Sequence, residues 1–242
     1  MILADTRHRL TRDDAHLAAR LLAAENGDDP LVLESRIADE GIDSILDDPR
    51  LPGALLRQPR GAHASLALFT YVLIRQALRR AGEEDRGVAD YVSAIVLNFG
   101  IRDRAHRIAI TDDERYDAIV ELCEDLDDPD ARRSFLVRTH LGNYALWLSG
   151  IFPDYIEQRR WRRGGPDLEY YEQMGRRGFE LAADHRLAEA HGLSGLYTSV
   201  AEHFGMLRAA LNSVSDTLFF PSVNSPERLM RQVADEARWR RS

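Results

Sequence analysis

No lysine occurs anywhere in the 242 residues; all 32 basic side chains are arginine. Without a Schiff-base lysine, pyridoxal-phosphate chemistry and lysine-dependent aldolases are excluded, and so is the GxxxxGK phosphate loop. Cysteine is nearly absent as well. Cys123 stands alone, so neither an intrachain disulfide nor a multi-cysteine zinc or iron–sulfur site can form. The longest apolar run, "LALFTYVLI" (66–74), falls far short of the ~20 residues that cross a bilayer. The opening residues, "MILADTRHRLTRDD", lack the apolar stretch of a signal peptide, which makes the cytoplasm the expected compartment. There is no GxGxxG, no GxSxG elbow and no HExxH, and no motif implies a cofactor.

What is present describes a globular chain. Hydrophobic residues at 44% against 30% charged suffice for a packed core and argue against disorder. Acids outnumber bases, and the net charge of −8 disfavours general nucleic-acid binding while leaving room for a local basic patch.

Helical punctuation runs from end to end. Thr11 with Asp14 reads as an N-cap, with Ala15, Ala18 and Leu22 on the face behind it and a stop at Gly27. Asp29-Pro30 starts a second helix ending near Gly41, and residues 49–61 are the most loop-like stretch. A strongly apolar helix over 63–81 closes at Gly82, and Asp85 caps another that stops at Gly100. Thr111 to Glu114 has the form of a capping box. Asp128-Pro129 launches a long helix that Gly150 and Pro153 break or kink. Asp167 caps a helix to about Ala190. The next, 194–219, carries Leu196, Val200, Phe204, Leu207, Leu211, Val214 and Leu218 in bundle-type spacing. Ser225-Pro226-Glu227 begins a final charged helix. No strand pattern appears. The expected fold is all-α, a compact bundle of about eight or nine helices in one domain, 1–242. An N-terminal helical subdomain (1–60) before a main bundle (61–242) is compatible with the loop.

Four stretches carry candidate chemistry. In "RTHLGNYALWLSG", His140 and Tyr144 share a helix face with Leu136, Leu148 and Ile151, beside a small-residue stripe of Gly142, Ala145 and Ser149. The stripe marks a close helix crossing, and a histidine on such a face is more often a hydrogen-bonded core residue than a ligand. Asn143, if buried, needs partners, because an unpaired amide costs about 1–3 kcal/mol. In "YYEQMGRRGFELAADH", Tyr171, Gly175, Gly178 and His185 share a face. Each mid-helix glycine costs about 1 kcal/mol relative to alanine, which favours a tight contact or a cavity wall. His203 follows Glu202 beside the apolar seam, and a site joining His140, His185 and His203 is geometrically conceivable. No Glu-x-x-His pair supports a metal, however, and no metal ligands are assigned. Finally, "RRWRRGGPD" sets Arg159, Arg160, Arg162 and Arg163 around Trp161 ahead of a helix start, an arrangement suited to anions, and "ARWRRS" echoes it at 237–242. The simpler reading there is a solvated helix end.

The pair "HLGNYALWLSGIFPDYI" and "DLEYYEQMGRRGF" resembles a family of bacterial all-helical proteins, with no activity attached, that carries LG-x-x-x-L, a small residue before aromatic-Pro, then YY-x-x-MG. The matching positions are Leu141-Gly142, Leu146, Gly150 to Pro153, Tyr170-Tyr171 and Met174-Gly175. The resemblance spans roughly 136–185 and implies the helical fold. Asn143 stands where the pattern expects an acid.

The expected function is a binding or assembly module that self-associates into a homo-oligomer, with no membrane role, nucleic acid disfavoured and an anionic small molecule as a conceivable ligand. The alternative is an enzyme or a small-ligand or metal-binding protein. Its pocket would lie between the helices at about 130–150, 167–190 and 194–219, lined by His140, Tyr144, Tyr171, His185 and His203.

Overall fold

A computed structural model of the chain describes residues 1–101, 103–109, 112–222 and 225–239. Among them are fourteen α-helices and no strand. The all-α expectation holds, while the helix number exceeds the eight or nine expected. The excess comes from breaks that periodicity does not register, since an apolar stripe continues across a one-residue interruption. No helix among the described residues is long and apolar enough to cross a membrane. Contacts divide the chain into two compact units, one of Leu3–Leu97 and one of Met1–Ile2 with Asn98–Ser242.

The first unit holds α1 (Arg12–Asn26), α2 (Pro30–Glu40), α3 (Asp43–Leu46), α4 (Leu51–Arg57), α5 (Leu66–Arg80) and most of α6 (Arg86–Phe99). Local chemistry sets its boundaries. Thr11 and Asp14 form a reciprocal capping box on α1, and Gly27 ends that helix at φ 73°, a left-handed conformation that glycine adopts without a Cβ penalty. Its core is Leu21, Leu22, Leu46, Leu68, Tyr71 and Tyr91, all fully buried.

The second unit contains α7 (Ile119–Glu124), α8 (Ala131–Ile151), α9 (Pro153–Arg163), α10 (Leu168–Ala183), α11 (Arg186–Ala190), α12 (Ser194–Glu202) and α13 (Phe204–Val214). A turn of π-helix (Ser215–Phe219) and α14 (Pro226–Trp239) follow. Two sequence expectations shift here. Thr111 lies outside the described residues, and the helix assigned to its capping box starts only at Ile119. Asp130, two residues later than expected, caps α8 by accepting from the amides of Arg132 and Arg133, while Asp128 accepts from the amide of Asp130. The helix expected over 194–219 breaks at His203 into α12 and α13, and the one over 167–190 breaks at Asp184.

Buried nearly all round, α8 is the axis of this unit. Its small-residue stripe is where α10 crosses. A Cβ on Gly178 would lie 2.8 Å from the amide nitrogen of Gly142 and 2.9 Å from the carbonyl oxygen of Arg138. One on Gly142 would meet the Phe179 ring, and one on Gly175 would meet Phe204 and the Ala145 Cβ. About two turns beyond Gly142, a Cβ at Gly150 would strike Leu211 of α13 at 2.7 Å. These glycines therefore set the helix separations, which outweighs their unfavourable helix propensity.

Pro153 stops α8 and leaves its last carbonyls without intrahelical partners. They are satisfied from α13 and the π-turn. The Asn212 Nδ2 group donates to the carbonyls of Ser149 (2.7 Å) and Gly150 (2.8 Å), and the Ser215 hydroxyl donates to that of Ile151 (2.6 Å). This fixes α13 against the end of α8 and positions the charged layer described next.

Candidate functional site

The sequence candidates on α8 are in a closed core. His140 is buried, and its Nε2–H donates to the Ala105 carbonyl at 3.0 Å, which accepts only from a protonated nitrogen. Its ring packs edge-on to Phe99 (centroids 5.4 Å apart) and stacks with Tyr144 (6.3 Å). Burial, helped by the nearby Arg104 cation, pushes its pKa down to about 3, so the imidazole is neutral at ordinary pH. Asn143 is buried beside it. Tyr144 is pushed far above the usual phenol value by burial, with Tyr171 and Tyr155 adding to the effect and Arg159 opposing it. Tyr171 is likewise raised by burial and opposed by Arg159. Both tyrosines thus feel the Arg159 charge.

The other histidines have different places. His185 caps α11, its Nδ1 accepting from the Leu187 amide at 3.2 Å, and stacks on Phe135. His203 is exposed at the α12–α13 break. Among the described residues no group of three His, Cys, Asp or Glu side chains is placed to hold a metal ion.

Sequence reasoning missed a charged layer beneath α14. Arg208 of α13 is buried, with Nε donating to Glu172 of α10 (3.2 Å), Nη1 to Asn212 (2.6 Å) and Nη2 to Asp235 of α14 (2.8 Å). Alongside, Asp216 takes Arg228 at 2.7 Å, Arg231 at 2.9 Å and the Gln232 amide at 2.8 Å, with Asp154 at the edge. The π-turn makes this possible. Its extra residue lets Phe220 donate back to Ser215 at 3.0 Å, so that Ser215 and Asp216 both point inward.

The consequence is an inside-out helix. On α14, Arg228, Arg231, Gln232 and Asp235 lie on one face at i, i+3, i+4 and i+7, and that face turns inward. The opposite face carries Leu229, Met230 and Val233, which are 58%, 73% and 67% exposed. A groove of about 870 Å³ runs between α10, α13 and α14, lined by four acids and four arginines. A signal did exist in the sequence: Arg208, Asn212 and Asp216 interrupt the apolar seam at four-residue spacing, and buried polar groups at that spacing require partners.

The α9 candidates separate. Arg160 turns to Glu157 at 3.8 Å. Arg159, Arg162 and Arg163, with Tyr155 and Gln158, line a cleft of about 180 Å³. Trp161 is 74% exposed. The echoing segment at 237–242 lies outside the residues whose side chains the structure describes.

No protein-family model, no curated protein and no solved structure matches this chain.

Proposed function

We propose that the protein is an assembly module that pairs with a second copy of itself through the outward face of α14. The observation that carries this is the inverted amphipathicity of that helix, whose charged face is inward and whose Leu229, Met230 and Val233 face is in water. A second copy is favoured as the occupant by charge. The neighbouring groove presents four acids and four arginines, so its balanced charge neither repels a second copy nor calls for a partner of one sign.

Area sets the strength. Three side chains make a patch of a few hundred Å², a size found on many monomers. Paired with itself, such a patch falls short of the roughly 1,200–2,000 Å² of a standard interface, so the contact must extend onto the groove rim. The dimer should accordingly be reversible, with a micromolar dissociation constant. Sedimentation velocity across a wide concentration range tests this. The expectation is a monomer–dimer equilibrium that M230E/V233E shifts to monomer with unchanged far-UV circular dichroism. A monomer at every concentration, or a dimer indifferent to that double variant, would overturn the proposal.

A further inference from the structure

We infer that the α9 cleft formed by Arg159, Arg162 and Arg163 with Tyr155 and Gln158 is a binding site for the phosphoryl group of a small phosphorylated ligand. The inference does not depend on how copies of the chain assemble.

What marks this cleft is the grouping of three arginines without carboxylate partners. Acids outnumber arginines over the whole chain, and most of its arginines have carboxylate partners, from Arg7 with Asp43 to Arg231 with Asp216. Among the described residues, Arg159, Arg162 and Arg163 have no hydrogen-bonded or ion-paired partner, and no carboxylate lines the cleft they share. The groove beside α14, by contrast, balances its signs. Every cleft side chain offers a donor: three guanidinium forks, the Gln158 amide and the Tyr155 hydroxyl. Positions 155, 159, 162 and 163 recur at i, i+4, i+7 and i+8 and so form one stripe. Arg160, about 100° round the helix from Arg159, does not line the cleft and is engaged by Glu157 at 3.8 Å.

Part of the site is also held in place. Gly164 ends α9 at φ 66° and turns the chain back, so that Gly165 lies against Arg159. A Cβ at Gly165 would come within 3.3 Å of the Arg159 Cγ, which means the stem of that side chain rests on backbone and is only half exposed.

Three forks converging on so small a volume suit the tetrahedral, multiply charged phosphoryl group better than a single carboxylate. About 180 Å³ is below the roughly 300–1,000 Å³ of pockets that enclose a whole small molecule, so the cleft takes a head group whose remainder lies on the surface. A nucleic-acid strand fits less well. The three arginines span about 6 Å of helix, at about 1.5 Å per residue, against the several nucleotides of a single-strand site, and the net charge of −8 repels a long polyanion.

Inorganic pyrophosphate, titrated calorimetrically into the full chain at low ionic strength, tests the inference. The expected result is saturable one-to-one binding that weakens at least about tenfold in R159Q/R162Q and is unchanged in R160Q. All three positions lie on a solvent-facing helix, and circular dichroism with thermal unfolding verifies that both variants fold. The inference is overturned if binding does not saturate, or if R160Q loses it equally, because either result means diffuse counter-ion attraction. It is also overturned if a single-stranded oligonucleotide binds and pyrophosphate does not displace it, which makes the surface a polyanion contact.

Discussion

Alanine at Gly178 should destabilise the second unit by about 2–4 kcal/mol, against the direction of helix propensity. Propensity alone credits a mid-helix Gly→Ala change with about 1 kcal/mol of stabilisation. The new Cβ, however, would lie 2.8 Å from the Gly142 nitrogen and 2.9 Å from the Arg138 oxygen, both backbone atoms of α8. Neither can rotate away, so α10 must retreat by about half an ångström, and a gap of that order already forfeits about a quarter of each dispersion contact along the crossing. The contacts at stake include Gly142 against Phe179 and Gly175 against Phe204, so the overpacking penalty belongs at the upper end of the usual 1–3 kcal/mol or somewhat above it. Gly195 supplies the control. It sits in the first turn of α12 with nothing within 4 Å of its would-be Cβ, and G195A should be neutral or stabilising by up to about 1 kcal/mol. Trp147, Trp161 and Trp239 all belong to this unit, so urea unfolding followed by tryptophan fluorescence reports on it directly. Equal stability of G178A and wild type would refute the backbone-contact reasoning.

Two further perturbations probe the interior. His140 binds its proton near 6.5 in an unfolded chain and only at about 3 when folded, so between those values the unfolded state holds more protons. Stability therefore falls as pH drops from 6.5 toward 3, by at most about 1.4 kcal/mol per pH unit from this residue. H140Q, which keeps a donor for the Ala105 carbonyl, should show a shallower acid slope in the same unfolding assay; parallel slopes would argue against a buried neutral imidazole. In the charged layer, R208M leaves buried Asp235 without its cation, while Glu172 keeps Arg176, and should cost about 3–5 kcal/mol. Adding D235L should recover part of that loss, and a single-variant effect below about 1 kcal/mol would refute the pairing.

Much of the fold was legible because its signals are local. The Thr11 and Asp167 caps and the Gly27 stop act through neighbours three or four residues away, and the structure has them in place. A close crossing on α8 was legible in Gly142 and Ala145, and a tight contact or cavity wall on α10 in Gly175 and Gly178, since mid-helix glycines are tolerated where backbones approach; that the two helices meet each other was not. What stayed hidden depends on partners distant in sequence. The π-turn has no periodic signature, and the end of α8 is completed by Asn212 and Ser215, some sixty residues on. The histidines misled for a related reason. Residue type gave His140, His185 and His203 equal standing, yet one bonds to a carbonyl in the core, one caps a five-residue helix and one is exposed.

Which way α14 faces is the question that a hydrophobic pattern answers wrongly. Burying Leu229, Met230 and Val233 inward would gain about 1.5–3 kcal/mol for each side chain. That rotation would strip Asp235 from Arg208, and Arg228 and Arg231 from Asp216, and each buried charge left without its partner costs about 3–5 kcal/mol. For Arg208 and Asp216 together that loss is about 6–10 kcal/mol, against about 4.5–9 kcal/mol gained by the three apolar side chains, so the observed orientation is favoured by charges already fixed by α13 and the π-turn. In an isolated copy the apolar face then contributes almost nothing to stability, and polar residues would serve there equally well. M230E/V233E should accordingly leave the unfolding free energy of the monomer within about 0.5 kcal/mol of wild type, the usual range for solvent-facing substitutions, while abolishing self-association. If the same variant unfolded the chain, the face would belong to the fold, and the case for an interface would fail.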